Sequence, residues 1–348
     1  MRLGFARGSA LALFAPLLAT ANAQAAEPGE VNIYSYRQPY LINPLLKEFT
    51  DETGIKVNVI FAEKGLIERI QAEGRNSPAD VLLTVDVGNL TQATAAGIAR
   101  PISSAMLDAE IPPAYRGDDG QWFGLTRRAR VVYASKERVK QDAITYEELA
   151  DPKWRGKICI RSGQHAYNVA LIASMIAHHG EDWTEQWLKG VKANLARKPA
   201  GDDRLQVKGV YAGECDLAVG NTYYMGAMLQ NNKEPEQKAW ANSVNILFPN
   251  SGDRGTHVNV SGAVVARYAP HQDNAIKLVE FLASDKGQEM YAEVNNEYPV
   301  KAGVPWSPLV KSWGDFKPDP ISLNEIAGLR KKASELVDKV GFDDGPSS

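Results

Sequence analysis

From residue 31 onward, short β-branched runs alternate with helical patterns, and that order leaves few ways to fold. Val31-Asn32-Ile33-Tyr34-Ser35 alternates as a half-buried strand does. Asn43 and Pro44 then offer a cap and a first-turn proline; Leu45, Leu46 and Phe49 share one helical face, and Gly54 stops the helix. Val57–Phe61 reads as a second strand, Leu66–Glu73 as a helix closed by Gly74, and Ala79–Thr84 as a third strand. This β-α-β-α-β order predicts a mixed, mostly parallel sheet covered by helices. A second block follows, with strands at Arg130–Ala134, Ile158–Arg161, Leu217–Gly220, Val244–Phe248 and Val258–Val265. Its helices are expected at Val169–His179, Tyr223–Gln230 and Gln272–Ala283. No tandem repeat or low-complexity linker separates the blocks, so two α/β lobes joined by crossing strands, with a cleft between them, are expected.

Charge narrows the function. The 348 residues carry 39 Lys+Arg and 42 Asp+Glu, a formal net charge of −3. Nucleic acid suits such a balance poorly, because neutralising phosphates needs a concentrated basic surface. No stretch approaches the roughly 20 apolar residues that span a bilayer. At the N-terminus, Arg2 and Arg7 precede an apolar run, Ser9–Thr20, and the small-residue sites Ala21-Asn22-Ala23 and Ala25-Ala26. That order predicts a signal peptide over residues 1–26, cleaved from an exported, periplasmic protein. Without Arg2 and Arg7, 37 basic residues (39 less 2) face 42 acidic ones, a net charge of −5. In an oxidising compartment the two cysteines, Cys159 and Cys215, each beside a short apolar strand, are expected to form a disulfide.

Enzyme signatures are missing. There is no Gly-x-Gly-x-x-Gly, P-loop, Gly-x-Ser-x-Gly or His-Glu-x-x-His. Of the five histidines only His178 and His179 are close in sequence, and they close a predicted helix, where a positive or polar end is favourable. The unusual feature is tyrosine. Tyr167 lies eight residues after Cys159, and Tyr223, followed by Tyr224, lies eight residues after Cys215. Both sites run strand, turn, helix start, and ligands gather at the carboxyl edges of parallel strands. Three phenols converging at one cleft wall is one reading; aromatic packing is the other. Converging phenols would suit a trivalent cation, because a bound metal can deprotonate them and phenolate is a hard oxygen donor fit for Fe³⁺. Zn²⁺ or Cu⁺ would call for His or Cys. An arginine fork could hold an anion in the remaining positions, and Arg127, Arg128 and Arg130 are the candidates. In a strand, Arg128 and Arg130 share a face that Arg127 opposes.

Six stretches then carry a resemblance: residues 30–40, Ser77-Pro78-Ala79-Asp80-Val81, residues 125–131, Arg161-Ser162-Gly163, Gly220-Asn221-Thr222-Tyr223-Tyr224 and residues 295–300. In that order, over nearly the whole chain after the leader, they resemble the periplasmic ferric-iron-binding proteins of ABC importers. The resemblance implies a two-lobed periplasmic-binding fold of type II that carries Fe³⁺ to an inner-membrane permease, with chemistry like that of transferrin. It implies Tyr167, Tyr223 and Tyr224 as metal ligands. It also implies Arg128, helped by Gln38 and the Ser162-Gly163 turn, as the holder of a synergistic anion such as carbonate. Many members place a His or His-Tyr pair after the first strand, where this chain has Gln38-Pro39. Tyr40 and Glu63 are therefore candidates for an additional ligand.

The resulting expectation is a monomeric binding protein, not an enzyme. Residues 27–126 with about 253–303 would form its N-terminal lobe, and 127–252 with about 304–348 its C-terminal lobe. The competing readings are the same fold carrying a small organic solute such as a polyamine, which would want acids among the aromatics, and a secreted hydrolase, for which no nucleophile–His–acid arrangement can be built.

Overall fold

The structure, a computed structural model, describes Met1 and residues 29–346. The expected signal peptide lies outside the described residues. The strands are β1 (Glu30–Ser35), β2 (Lys56–Phe61), β3 (Val81–Thr84), β4 (Phe123–Ser135), β5 (Ile158–Cys159), β6 (Leu217–Asn221), β7 (Val244–Leu247), β8 (Val258–Val265) and β9 (Tyr298–Pro299). They are ordered β2-β1-β3-β8-β4-β6-β5, with β7 and β9 also paired to β4. The expected α/β fold with crossing strands is present, and β4 is the main crossing. Its 13 residues pair with β8 over Phe123–Ala129 and then with β6 over Arg130–Ala134.

The sheet is less parallel than the alternation predicts. β1 is parallel to β2 and β3, and β5 to β6, but β3 with β8 and every pairing of β4 is antiparallel. A strand that leaves one lobe and a strand that returns to it necessarily run in opposite directions when they are neighbours.

Helix positions follow the apolar faces. The first helix spans Pro39–Thr53, so it starts before the expected Asn43-Pro44. Pro39 takes the first-turn place, the Leu41 N–H donates to the Gln38 carbonyl at 3.0 Å, and Pro44 sits inside the helix. The earlier start adds Ile42 to the buried stripe of Leu45, Leu46 and Phe49, a spacing of i, i+3, i+4, i+7. Gly54 closes the helix at φ 72°, the left-handed geometry that glycine adopts without penalty. The Leu66–Glu73 and Gln272–Ala283 helices have the predicted bounds, whereas the helix expected at Val169–His179 starts at Ala166 and ends at His179. A C-terminal helix, Leu323–Val340, packs against the Ala166–His179 helix and also reaches Val87–Ala95, where Arg330 Nη1 lies 2.8 Å from Asp86 Oδ1. No helix among the described residues is long and apolar enough to cross a membrane.

Candidate metal centre

The two cysteine strands are neighbours. β5 and β6 are parallel, with Ile158 beside Leu217 and Cys159 beside Ala218, and Cys159 and Cys215 form a disulfide. Both strands therefore end at one sheet edge, and each is followed by a turn and a helix start. After β5 the chain enters the Ala166–His179 helix, whose second residue is Tyr167. His165 precedes it and its Nδ1 accepts the Tyr167 N–H at 3.3 Å. After β6 the chain enters the Tyr223–Leu229 helix, whose first two residues are Tyr223 and Tyr224.

The phenols meet there. The Tyr167 and Tyr223 hydroxyls are 3.2 Å apart, and the Tyr223 and Tyr224 rings stack with centroids at 4.4 Å. All three side chains line a cleft of about 720 Å³. Gln38, Tyr40 and Glu63 line the same cleft from the first lobe. Burial, and then the neighbouring Tyr167 and Tyr224, push the Tyr223 phenol well above its ordinary value. Burial, and then Asp203, likewise raise Tyr224. In the metal-free protein these two phenols are therefore neutral at pH 7.

Arginines surround the phenols. Arg128 and Arg130 are on one face of β4, as expected, and both are 2% exposed. Arg127 faces away, donating to the Pro299 carbonyl and to the Tyr115 hydroxyl. The guanidiniums of Arg128, Arg161 and Arg130 stand 5.3, 5.4 and 5.9 Å from the Tyr167 ring centroid. Arg128 Nη1 and Arg37 Nη1 donate to the same Ser261 Oγ, at 3.1 and 2.7 Å. Arg37 is also ion-paired with buried Glu297. Burial, then Arg161, lowers the His165 imidazole to about 3, so this ring stays neutral beside Tyr167.

A buried carboxylate ties the two tyrosine turns together. Asp203 is fully buried and accepts from Arg130 Nη1 at 2.7 Å, Arg161 Nη1 at 3.3 Å and the Asn221 N–H at 2.8 Å. Arg130 Nη2 donates to Asn168 Oδ1 at 2.7 Å, and Asn168 Nδ2 donates to the Arg161 and Ser162 carbonyls. Asn168 follows Tyr167 and Asn221 precedes Tyr223 by two residues, so this ion-paired cluster holds both turns.

The Ser162-Gly163 turn departs from expectation. Ser162 Oγ and the Gly163 N–H both donate to the Asp343 carboxylate near the C-terminus, and neither residue lines the cleft. The turn spends its donors on docking the C-terminus. Sequence reading also passed over Arg37, Arg161, His165, Asp202 and Arg204, all of which line the cleft. Arg37 and Arg161 fall within the stretches that carried the resemblance, whereas nothing local marks Asp203 as the residue beneath both turns. His178 and His179 pair with Asp319 and Glu147, each at 2.7 Å, in keeping with a structural role.

Residues 34–289 match the family model for bacterial extracellular solute-binding proteins. The chain is 47% identical over 318 residues to iron uptake protein A1 of Synechocystis, covering 91% of this chain and 88% of that protein. It is similar to the apo ferric ion-binding protein A of Pasteurella haemolytica, with 52% identity, a TM-score of 0.87 and coverage of 90% of this chain and 98% of the other. A Trichodesmium protein solved with iron and citrate shares 46% identity at a TM-score of 0.85, over 90% and 100% of the two chains. The fold is thus that of type II periplasmic binding proteins, and these relatives are binding and uptake proteins rather than enzymes. The chain belongs to the bacterial extracellular solute-binding protein family.

Proposed function

We propose that this protein is the periplasmic carrier of a ferric-iron ABC importer, delivering its cargo to an inner-membrane permease. Tyr167, Tyr223 and Tyr224 hold Fe³⁺ as phenolates, and Arg128 holds a synergistic anion such as carbonate. The observation that carries this reading is the meeting of three phenols at one cleft wall, with Tyr167 and Tyr223 hydroxyls 3.2 Å apart. Three phenolates balance a trivalent cation, and the surrounding guanidiniums favour both the phenolates and an added anion. Relatives named for iron uptake and ferric ion binding support the metal.

The lining disfavours a polyamine. Four arginines (Arg37, Arg128, Arg161, Arg204) and Lys64 face three acids (Asp202, Glu63, Glu297), which leaves two positive charges in excess. Two of those acids are already ion-paired, Asp202 with Arg204 and Glu297 with Arg37. An organic polycation would meet repulsion and few free carboxylates.

An absorbance titration of metal-free protein with chelated Fe³⁺, with and without bicarbonate, tests the reading. A visible phenolate-to-iron band should grow to one equivalent and should strengthen with bicarbonate. In Arg128→Ala the bicarbonate dependence should vanish. No visible band would overturn the ferric reading. Intact bicarbonate dependence in the variant would move the anion to Arg161, the other cleft-lining guanidinium against Tyr167.

A further inference from the structure

One hydroxyl joins β4, β8 and the first lobe. Ser261 lies on β8, lines the cleft and is 3% exposed. Its Oγ accepts from Arg37 Nη1, shortly after β1, at 2.7 Å and from Arg128 Nη1, on β4, at 3.1 Å. A serine hydroxyl has two lone pairs and one proton, so two guanidiniums fill its capacity to accept. The proton is left over. It has no acceptor among the described residues, and neither guanidinium can provide one, because arginine only donates. An ordinary serine turns its O–H to suit either role; the neighbours of Ser261 commit it to donating.

The charge around that hydroxyl says what it should meet. Glu297 already neutralises Arg37. Arg128 has no carboxylate partner among the described residues, and its Nη2 has no hydrogen-bond partner. An uncompensated cation therefore stands against the Ser261 oxygen. Each N–H given to a hydroxyl polarises it and strengthens its own O–H as a donor. An anion takes such a proton better than water does, because O–H···O⁻ bonds are the shorter and stronger kind. We propose that Ser261 is a ligand of the synergistic anion, donating its O–H to an oxygen of the carbonate or similar oxyanion that Arg128 holds. The proposal rests on the ferric reading above and adds to it a neutral donor from β8. Through Ser261, Arg37 acts on the anion without touching it.

Absorbance titrations of the parent and Ser261→Ala with chelated Fe³⁺, over a series of bicarbonate concentrations, test this. The variant should still form the visible band at saturating iron, because all three phenols remain. It should need roughly 10- to 100-fold more bicarbonate than the parent for half of the bicarbonate effect, the usual weight of one hydrogen bond to a charged group. An unchanged bicarbonate requirement in the variant would overturn this proposal alone; a parent without any band would overturn the ferric reading and this proposal with it. Crystals of the parent loaded with iron and bicarbonate separate direct contact from support of Arg128. An anion oxygen should lie about 2.5–3.0 Å from Ser261 Oγ. An anion on Arg128 with no oxygen within about 3.5 Å of that atom would contradict the assignment.

Discussion

Tyr223→Phe is expected to bleach most of the phenolate-to-iron band and to weaken ferric retention by at least about 100-fold, while the metal-free protein melts nearly as before. Groups that merely support a metal ligand typically matter by 10–100-fold, and removal of a ligand should exceed that. The fold should tolerate the change because the Tyr223 hydroxyl meets other phenols of the cleft wall, the Tyr167 hydroxyl at 3.2 Å among them, so only cleft-side contacts are lost. Stacking of Tyr223 on Tyr224 survives in phenylalanine. Acidification should act in the same direction. Burial holds the Tyr223 and Tyr224 protons on well above neutral pH, so iron must displace both. Apparent affinity against a chelator of known pH dependence should therefore fall by about a hundredfold or more per pH unit lost. If the tyrosines were packing groups only, the phenylalanine variant would keep its colour.

Asp203→Asn should be the most damaging single change away from the phenols themselves. It leaves Arg130 and Arg161 facing a neutral amide in a fully buried position. Breaking a buried ion pair from one side costs about 3–5 kcal/mol, which chemical denaturation would register directly. Iron binding should weaken with it, because Asn168 and Asn221 lose the anchor that aligns the two tyrosine turns. The pH dependence has a defined sign. Burial alone would raise the Asp203 carboxyl, but Arg130, Arg161 and the Asn221 N–H hold it below its ordinary value. Its contribution is thus present above about pH 3.9, the unfolded value, and is lost as pH falls through the lower folded value. The variant and the parent protein should converge in stability only in strong acid. A variant as stable as the parent at pH 7 would show that the cluster is not what holds the turns.

Local pattern carried the element order, because apolar spacing and glycine stops are written in neighbouring residues. The face of Leu45, Leu46 and Phe49 and the stop at Gly54 needed no distant partner. The two tyrosine turns were legible through their shared spacing from Cys159 and Cys215, and the parallel pairing of β5 with β6 turns that spacing into proximity. What stayed hidden depends on contacts far apart in sequence. Ser162 and Gly163 read as free cleft donors until Asp343, about 180 residues later, takes them. Asp203 looks like an ordinary helix-start acid until Arg130 and Arg161 close on it from two other elements. The antiparallel course of β4 and β8 likewise follows from the return of the chain to its first lobe, which local alternation does not encode.

The central claim, that three phenolates of one cleft wall hold ferric iron, is tested most directly by diffraction at the iron edge from ferric-loaded crystals. A single anomalous peak within bonding distance of the Tyr167, Tyr223 and Tyr224 hydroxyl oxygens is the predicted result. An iron peak bonded elsewhere, or none in the cleft of a protein that has taken up one equivalent, would contradict it.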